Sequence, residues 1–204
     1  MALTCKQAAG TTNLSATVGT DGASLGEITV YNADNTPTTF TYNFIDASEG
    51  DLSIVLGKFT IGALRTGSPT LPRIILNQGD TLQVVPSAGG GTHQYTYNYS
   101  QGGYRFGVLA ISKALKVSST TPTTLLQDAN MQPNINIFNN KNLLSDIPVF
   151  TFSNGILSNI IFKQSLAPYE GVTVRLPGNM LVGDSFTVKS AQGSSDFDIY
   201  MVSD

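Results

Sequence analysis

The sequence predicts an all-β protein with two tandem antiparallel β-sandwich domains of jelly-roll-like form, related by an internal duplication. Charge is sparse, since charged residues make up 12% and hydrophobic residues 41% of the 204 positions. Short segments of alternating apolar and polar residues recur, with turn residues about every 8–12 positions, as in sandwiches and jelly rolls. One turn-and-strand segment occurs in both halves, which indicates the duplication.

The repeated segment reads LNQGDTLQVVPSA over 76–88 and LVGDSFTVKSA over 181–191. In each copy a Gly-Asp pair predicts a turn, because glycine adopts a positive φ without steric cost and aspartate can bond its own backbone. The alternation that follows predicts a strand with one buried face. Segments 28–32 and 135–139 match in the same order, 107 positions apart, against 104 for the Gly-Asp pairs. The turn residues are Gly79, Asp80, Gly183 and Asp184.

The order of these segments divides the chain into an N-terminal arm and two domains. Residues 1–24 are rich in Gly, Ala, Ser and Thr, which predicts an arm or a weak first strand. The uncharged stretch at 118–124, which contains Ser, Thr and Pro, predicts an extended linker. The first domain is then 25–117 and the second 125–204. A single large sandwich is the alternative.

Alternation and turn residues place the individual strands. Residues 107–117 are compatible with either a strand or a short helix. Asn154-Gly155 predicts a hairpin with a type I′ turn, which needs a positive φ at both central positions. The strands predicted from alternation are 27–31, 38–44, 54–56, 58–61, 73–76, 82–85, 93–99, 134–140, 148–152, 156–162, 172–177, 185–189 and 197–202.

Charge and composition argue against several classes of function. The net charge is −3 and the 11 Lys and Arg residues are scattered, so we expect no nucleic-acid binding. The sequence has no run of about 18 apolar residues, so we expect no membrane-spanning helix. The N-terminus lacks the charged and apolar regions of a secretory signal, so we expect synthesis in the cytosol. Cys5 is the single cysteine, which excludes an internal disulfide.

Residues that could support catalysis or metal binding are few. His93 is the single histidine, which excludes a histidine metal cluster. Its position after three glycines predicts a structural or solvent-exposed ring. Asp46, Glu49 and Asp51 match no EF-hand spacing, so they predict a solvated loop, with an opportunistic calcium site as the alternative. We expect no enzyme activity, cofactor or resident metal. The carboxylates predicted to be structural or at the surface are Asp80, Asp184, Asp196 and Asp198.

Aromatic residues are the one feature with binding potential. Three tyrosines share one face of the strand at 93–99, and further aromatic residues follow. Exposed tyrosines can stack on sugars or anchor a protein interface, because they combine apolar area with a polar tip. The interpretation that we favour is that they form the core face of the strand. The candidate interaction residues are Tyr95, Tyr97, Tyr99 and Tyr104.

The second half carries an asparagine after an early strand, Asn139, a Pro-x-Glu-Gly-Val turn at 168–172, and Gly183-Asp184-Ser185-Phe186. With these elements, most of residues 125–204 resembles the virion structural proteins of tailed bacteriophages, such as capsid decoration and tail-associated β domains. The resemblance implies a non-enzymatic structural role in the virion. It carries over no functional residue.

The leading hypothesis is a capsid decoration, or cement, protein that binds the outer surface of a phage head and bridges capsid subunits. Its partners would be the major capsid protein or other virion proteins, together with further copies in a homo-oligomer such as a trimer. The alternatives are a tail or baseplate component, and a carbohydrate-binding adhesin that uses the tyrosine strand. We expect neither nucleic acid nor a membrane as a partner.

Overall fold

The chain forms two compact units, Met1–Ala114 and Leu115–Asp204, in a computed structural model. Each unit has its own β-sheets and its own set of buried apolar residues. The residues that the structure describes are 2–14, 22–87, 90–101, 112–127, 132–141, 144–175, 179–192 and 196–203.

The first unit contains two antiparallel sheets. One has the strand order β1-β9-β3-β6, with β7 also paired to β3, and the other has the order β2-β8-β4-β5. A short 3₁₀ helix, Ala47–Glu49, follows β4. The strands are β1 (Ala2–Ala8), β2 (Thr12–Leu14), β3 (Ala23–Tyr31), β4 (Thr38–Asp46), β5 (Leu52–Ile61), β6 (Thr66–Gly67), β7 (Ile74–Leu76), β8 (Thr81–Pro86) and β9 (His93–Gln101).

The second unit also contains two antiparallel sheets, with the orders β10-β17-β12-β15 and β11-β16-β13-β14. Strand β10 crosses the boundary between the units, since its first three residues belong to the first. The strands are β10 (Ser112–Val117), β11 (Thr123–Gln127), β12 (Pro133–Asn139), β13 (Pro148–Ser153), β14 (Ser158–Lys163), β15 (Gly171–Arg175), β16 (Ser185–Ser190) and β17 (Phe197–Ser203).

The two units share one topology. When the strands of each unit are numbered one to eight, with β6 and β7 together in sixth place, both units have the sheet orders 1-8-3-6 and 2-7-4-5. This is the order of a jelly roll, in which two Greek keys form an eight-stranded sandwich. The predicted fold class, all-β with tandem jelly-roll-like sandwiches, is therefore confirmed. The shared strand order is what an internal duplication would produce.

Alternating burial along the strands forms the core of each unit. In β4 a buried residue alternates with a half-buried one over all nine positions, as a period of two requires for a strand with one inward face. In the second unit the Phe150 ring lies 5.4 Å from the Phe186 ring and 6.0 Å from the Phe162 ring, between centroids. Other fully buried residues are Leu14, Val30, Phe40, Phe44, Leu82, Val84, Ile135, Val188 and Ile199.

The structure corrects the predicted N-terminal arm and linker. Residues 2–8 pair with β9 along their whole length, from Ala2 opposite Tyr99 to Ala8 opposite His93. They form an edge strand of the first unit, so the first-strand alternative is correct for these residues and the arm is wrong. The pairing was not visible locally, because β9 lies about 90 positions away in the sequence. The linker predicted at 118–124 lies within the second unit instead, where residues 118–122 form an exposed loop between β10 and β11. Residues 123–124 already belong to β11, and the units divide after Ala114.

Candidate functional site

The predicted tyrosine surface lies mostly in the core of the first unit. Tyr95 and Tyr97 are 1% and 2% exposed, and β9 runs between β1 and β3 in the middle of its sheet. The Tyr95 ring packs edge-on against Phe40, with 6.4 Å between centroids. The interaction-surface prediction is therefore wrong for these two residues, and the core interpretation is correct. Tyr99 is half-buried, and Tyr104 lies outside the described residues.

Two tyrosine hydroxyls are enclosed in this core. Neither the Tyr42 nor the Tyr95 hydroxyl has a hydrogen-bond partner within the described part of the chain. Burial raises the pKa of Tyr95 to about 12. Burial, and secondarily the neighbouring Tyr95 phenol, raise the pKa of Tyr42 well above its ordinary value. Both phenols are therefore neutral at physiological pH and act as core residues.

A buried asparagine fixes the same pair of loops in each unit. In the first unit Asn32 Nδ2 donates to the carbonyls of Thr36, Ile61 and Gly62 at 3.0–3.1 Å. Its Oδ1 accepts the N–H of Asp34 at 3.1 Å. A side chain that satisfies three carbonyls and one amide holds several chain segments together.

The equivalent residue of the second unit is Asn139. Its Nδ2 donates to the carbonyls of Leu144, Leu166 and Ala167 at 3.0–3.1 Å, and its Oδ1 accepts the N–H of Lys141. Both asparagines are 0% exposed. The sequence interpretation did not assign them this role. The signal available in the sequence was that an asparagine ends both matched segments, 28–32 and 135–139.

The two Gly-Asp turns have the predicted backbone chemistry. Gly79 and Gly183 have φ angles of +95° and +92°. Asp80 Oδ2 accepts the Asn77 N–H at 2.9 Å, and Asp184 Oδ2 accepts the Leu181 N–H at 2.7 Å. These carboxylates are structural, as predicted.

The hairpin at Asn154-Gly155 is present, but the predicted turn type is wrong. Gly155 has a φ of +81°, whereas Asn154 is not among the described residues with a positive φ. Ser153 pairs with Ser158, so the loop has four residues. The Asn154 side chain stabilises this loop, because its Oδ1 accepts the N–H groups of Ile156 and Leu157. These bonds favour the four-residue loop over a two-residue turn.

His93 is held in the core at the start of β9. Its ring is 0% exposed and packs edge-on against Phe40, with 4.9 Å between centroids. Nδ1 accepts the Ala33 N–H at 3.3 Å, and Nε2 lies 3.6 Å from Asp34 Oδ2. The solvent-exposed alternative is therefore wrong and the structural one is correct. In the second unit the first residue of the equivalent strand is Phe197, which is also fully buried.

Two acidic residues predicted to be solvated are buried instead. Asp46 is 1% exposed and accepts hydrogen bonds from the Ser48 N–H, the Ser48 hydroxyl and the Ala114 N–H. Asp198 is also 1% exposed, with Oδ2 accepting from Asn140 Nδ2 and Oδ1 3.9 Å from Lys116 Nζ. Hydrogen bonds offset the cost of burying these carboxylates.

Carboxylates do not converge in the part of the chain that the structure describes. Glu49 is exposed and pairs with Lys113 Nζ at 3.0 Å. Among the described residues no group of three or more His, Cys, Asp and Glu side chains could hold a metal ion. No helix within those ranges is long and apolar enough to cross a membrane.

Large apolar side chains are exposed at adjacent loops of the second unit. Ile156 and Leu157, in the β13–β14 loop, are 88% and 65% exposed. Leu181 and Val182, in the turn before β16, are 63% and 86% exposed. The loops touch, since the Gly183 carbonyl oxygen lies 3.5 Å from the place of a Cβ atom on Gly155. We call these four residues the apolar tip.

No protein-family model and no curated protein matches this chain. Solved structures align with it at low identity. A protein described for the triple jelly roll fold and turret assembly of an archaeal virus is 12% identical with a TM-score of 0.32, and the alignment covers 97% of this chain but 55% of that one. The PBSX exported protein XepA is 6% identical with a TM-score of 0.29, over 98% of this chain and 81% of that one. Because these scores are below 0.5, the fold assignment rests on the strand order.

Proposed function

We propose that this chain is a non-enzymatic structural protein of a virion, and that it serves as a decoration protein which binds capsid subunits on the outer surface of a head. The resemblance of most of residues 125–204 to tailed-phage virion proteins supports the virion role. The jelly roll is a common architecture of viral capsid domains. A fold alone does not assign a function, so the proposal depends on how the side chains are used.

The observation that carries the proposal is the use of the buried polar side chains. Asn32, Asp80 and His93 in the first unit each bind backbone groups of their own unit. Asn139 and Asp184 do the same in the second unit. A catalytic site directs such groups towards a substrate, whereas here they fix loops between strands. The use of these side chains to fix loops supports a structural role over a catalytic one.

The test is to locate the chain on purified particles of its source by cryo-microscopy, with mass spectrometry of the same particles. We expect copies on the outer surface of the head, in a fixed ratio to capsid subunits. Copies confined to the tail would contradict decoration and support the tail or baseplate alternative. Absence from purified particles would contradict a virion role altogether.

A further inference from the structure

The apolar tip differs sharply from the same place in the first unit. There the β4–β5 loop contains Glu49 and Asp51, both exposed carboxylates. That loop also contacts the turn before β8, because the Ala47 N–H donates to Asp80 Oδ1 at 3.0 Å. The two units thus bring the same two loops together. The tip is acidic in the first unit and apolar in the second.

Four adjacent aliphatic side chains at 63–88% exposure are a costly surface for a chain that remains alone in water. Contiguous exposed apolar patches mark interaction sites in soluble proteins. Ile160, on the edge strand β14 that follows the first of these loops, is also 60% exposed. The tip therefore has the properties of a contact surface.

We propose that the apolar tip is where two copies of this chain contact each other, tip to tip. Residues 147–162 contain no charged side chain, so two such surfaces meet without the like-charge repulsion that opposes wrong pairings. The one carboxylate of the second loop, Asp184, is turned to its own backbone at Leu181. The acidic tip of the first unit stays net negative even with Lys113 counted, which disfavours the same contact there. This proposal goes beyond the proposed function and does not depend on it.

The first experiment measures self-association of the full chain by sedimentation velocity over a range of concentrations. We expect the native chain to associate, and the variant with Ile156→Ser and Val182→Ser to associate at least about 100-fold more weakly, because a contact between two copies loses four aliphatic side chains, two from each copy. The matched control is Leu3→Ser, which removes a 73% exposed leucine from β1 and should leave association unchanged. Thermal unfolding checks that all variants fold.

The second experiment tests whether the partner is another copy. The Val182→Glu chain and the Val182→Lys chain should each fail to self-associate when alone. An equimolar mixture of the two should associate, and added salt should weaken that association. A native chain that stays monomeric at every concentration overturns the proposal, as does an equal effect of Leu3→Ser. Binding of the native chain to phosphatidylcholine vesicles without self-association also overturns it and assigns the tip to a lipid surface.

Discussion

At the scale of single residues, the polar groups that hold this protein together are two buried asparagines in equivalent places. Each side chain donates to three backbone carbonyls. Asn139 is the last residue of the third strand of its jelly roll, and Asn32 directly follows the third strand of the other. A buried polar group without such bonds would be destabilising. Asn32 and Asn139 are therefore stability determinants, and the matched segments 28–32 and 135–139 already placed them in register.

Replacing Asn139 with Ala should lower the free energy of unfolding of the second unit by about 2–4 kcal/mol, because three carbonyls and one N–H lose their partner. Asn32→Ala should have a comparable effect on the first unit. The measurement is urea denaturation followed by circular dichroism. Asn159→Ala, at an exposed position on β14, is the control and should change stability by less than about 0.5 kcal/mol. Equal effects of Asn139→Ala and Asn159→Ala would contradict the role.

Tyr95 should make the protein sensitive to alkali. Its pKa is raised to about 12 in the folded state, against an ordinary value of 10, so the unfolded chain loses the phenolic proton first as pH rises. Stability is complete below pH 10 and falls as pH approaches 12. Tyr95→Phe removes this contribution without removing a hydrogen bond.

The test compares urea midpoints of native protein and Tyr95→Phe between pH 7 and pH 11.5. We expect the variant to be at least as stable at pH 7 and to lose less stability above pH 10. Tyr31→Phe, at a half-buried position, serves as the control. Identical pH profiles for native protein and Tyr95→Phe would rule out the buried phenol as the cause.

At the scale of elements, the two Gly-Asp turns have the same backbone conformation but different neighbouring atoms. Gly79 and Gly183 share a positive φ. A Cβ atom on Gly79 would lie 2.9 Å from Ala47 Cβ, whereas one on Gly183 has no neighbour within 4 Å. The local sequence therefore determines the backbone of the turn, and the neighbouring loop determines the space around it.

Gly183→Ala should cost about 1–2 kcal/mol, the usual penalty for a Cβ atom in the left-handed region. Gly79→Ala should cost more, because the contact with Ala47 adds to the same penalty. Adding Ala47→Gly to Gly79→Ala should bring the cost back towards that of Gly183→Ala. Denaturant midpoints measure these differences. If the two single variants were equally destabilised, the steric argument would fail.

At the scale of the whole molecule, equivalent strands of the two jelly rolls have diverged in burial. Strand β5 has buried residues such as Ile54 and Ile61, while its counterpart β14 is exposed at every position except Phe162. Both are edge strands with the same neighbours in their sheets. The second unit thus leaves open an edge that the first unit partly buries.

Hydrogen exchange should reflect this difference. Amides of β14 should exchange faster than those of β5, since opening β14 exposes little buried surface. The central strands β4 and β13 should be protected alike and serve as the internal reference. Exchange mass spectrometry on dilute protein, below the onset of self-association, makes the comparison. Equal protection of β5 and β14 would contradict it.

The sequence by itself determined most of the central strands, the Gly-Asp turns and the repeat, because alternation and a required positive φ are local properties. It did not identify the short strands at 12–14, 66–67 and 123–127. It also located the hairpin at residues 154–155, although not its turn type, which depends on the Asn154 side chain. The resemblance motifs lie in the second unit, and they pointed to a structural role without naming a site.

Only the tertiary structure decided how the buried polar residues are placed and what the terminal segments do. Tyr95, His93 and Asp198 are buried because distant strands or loops flank them, and residues 2–8 form a strand because β9 offers a free edge about 90 positions later. The apolar tip likewise exists because two loops separated in sequence meet at Gly155 and Gly183. Pairings of this kind depend on which segments meet in space, and local patterns do not encode that choice.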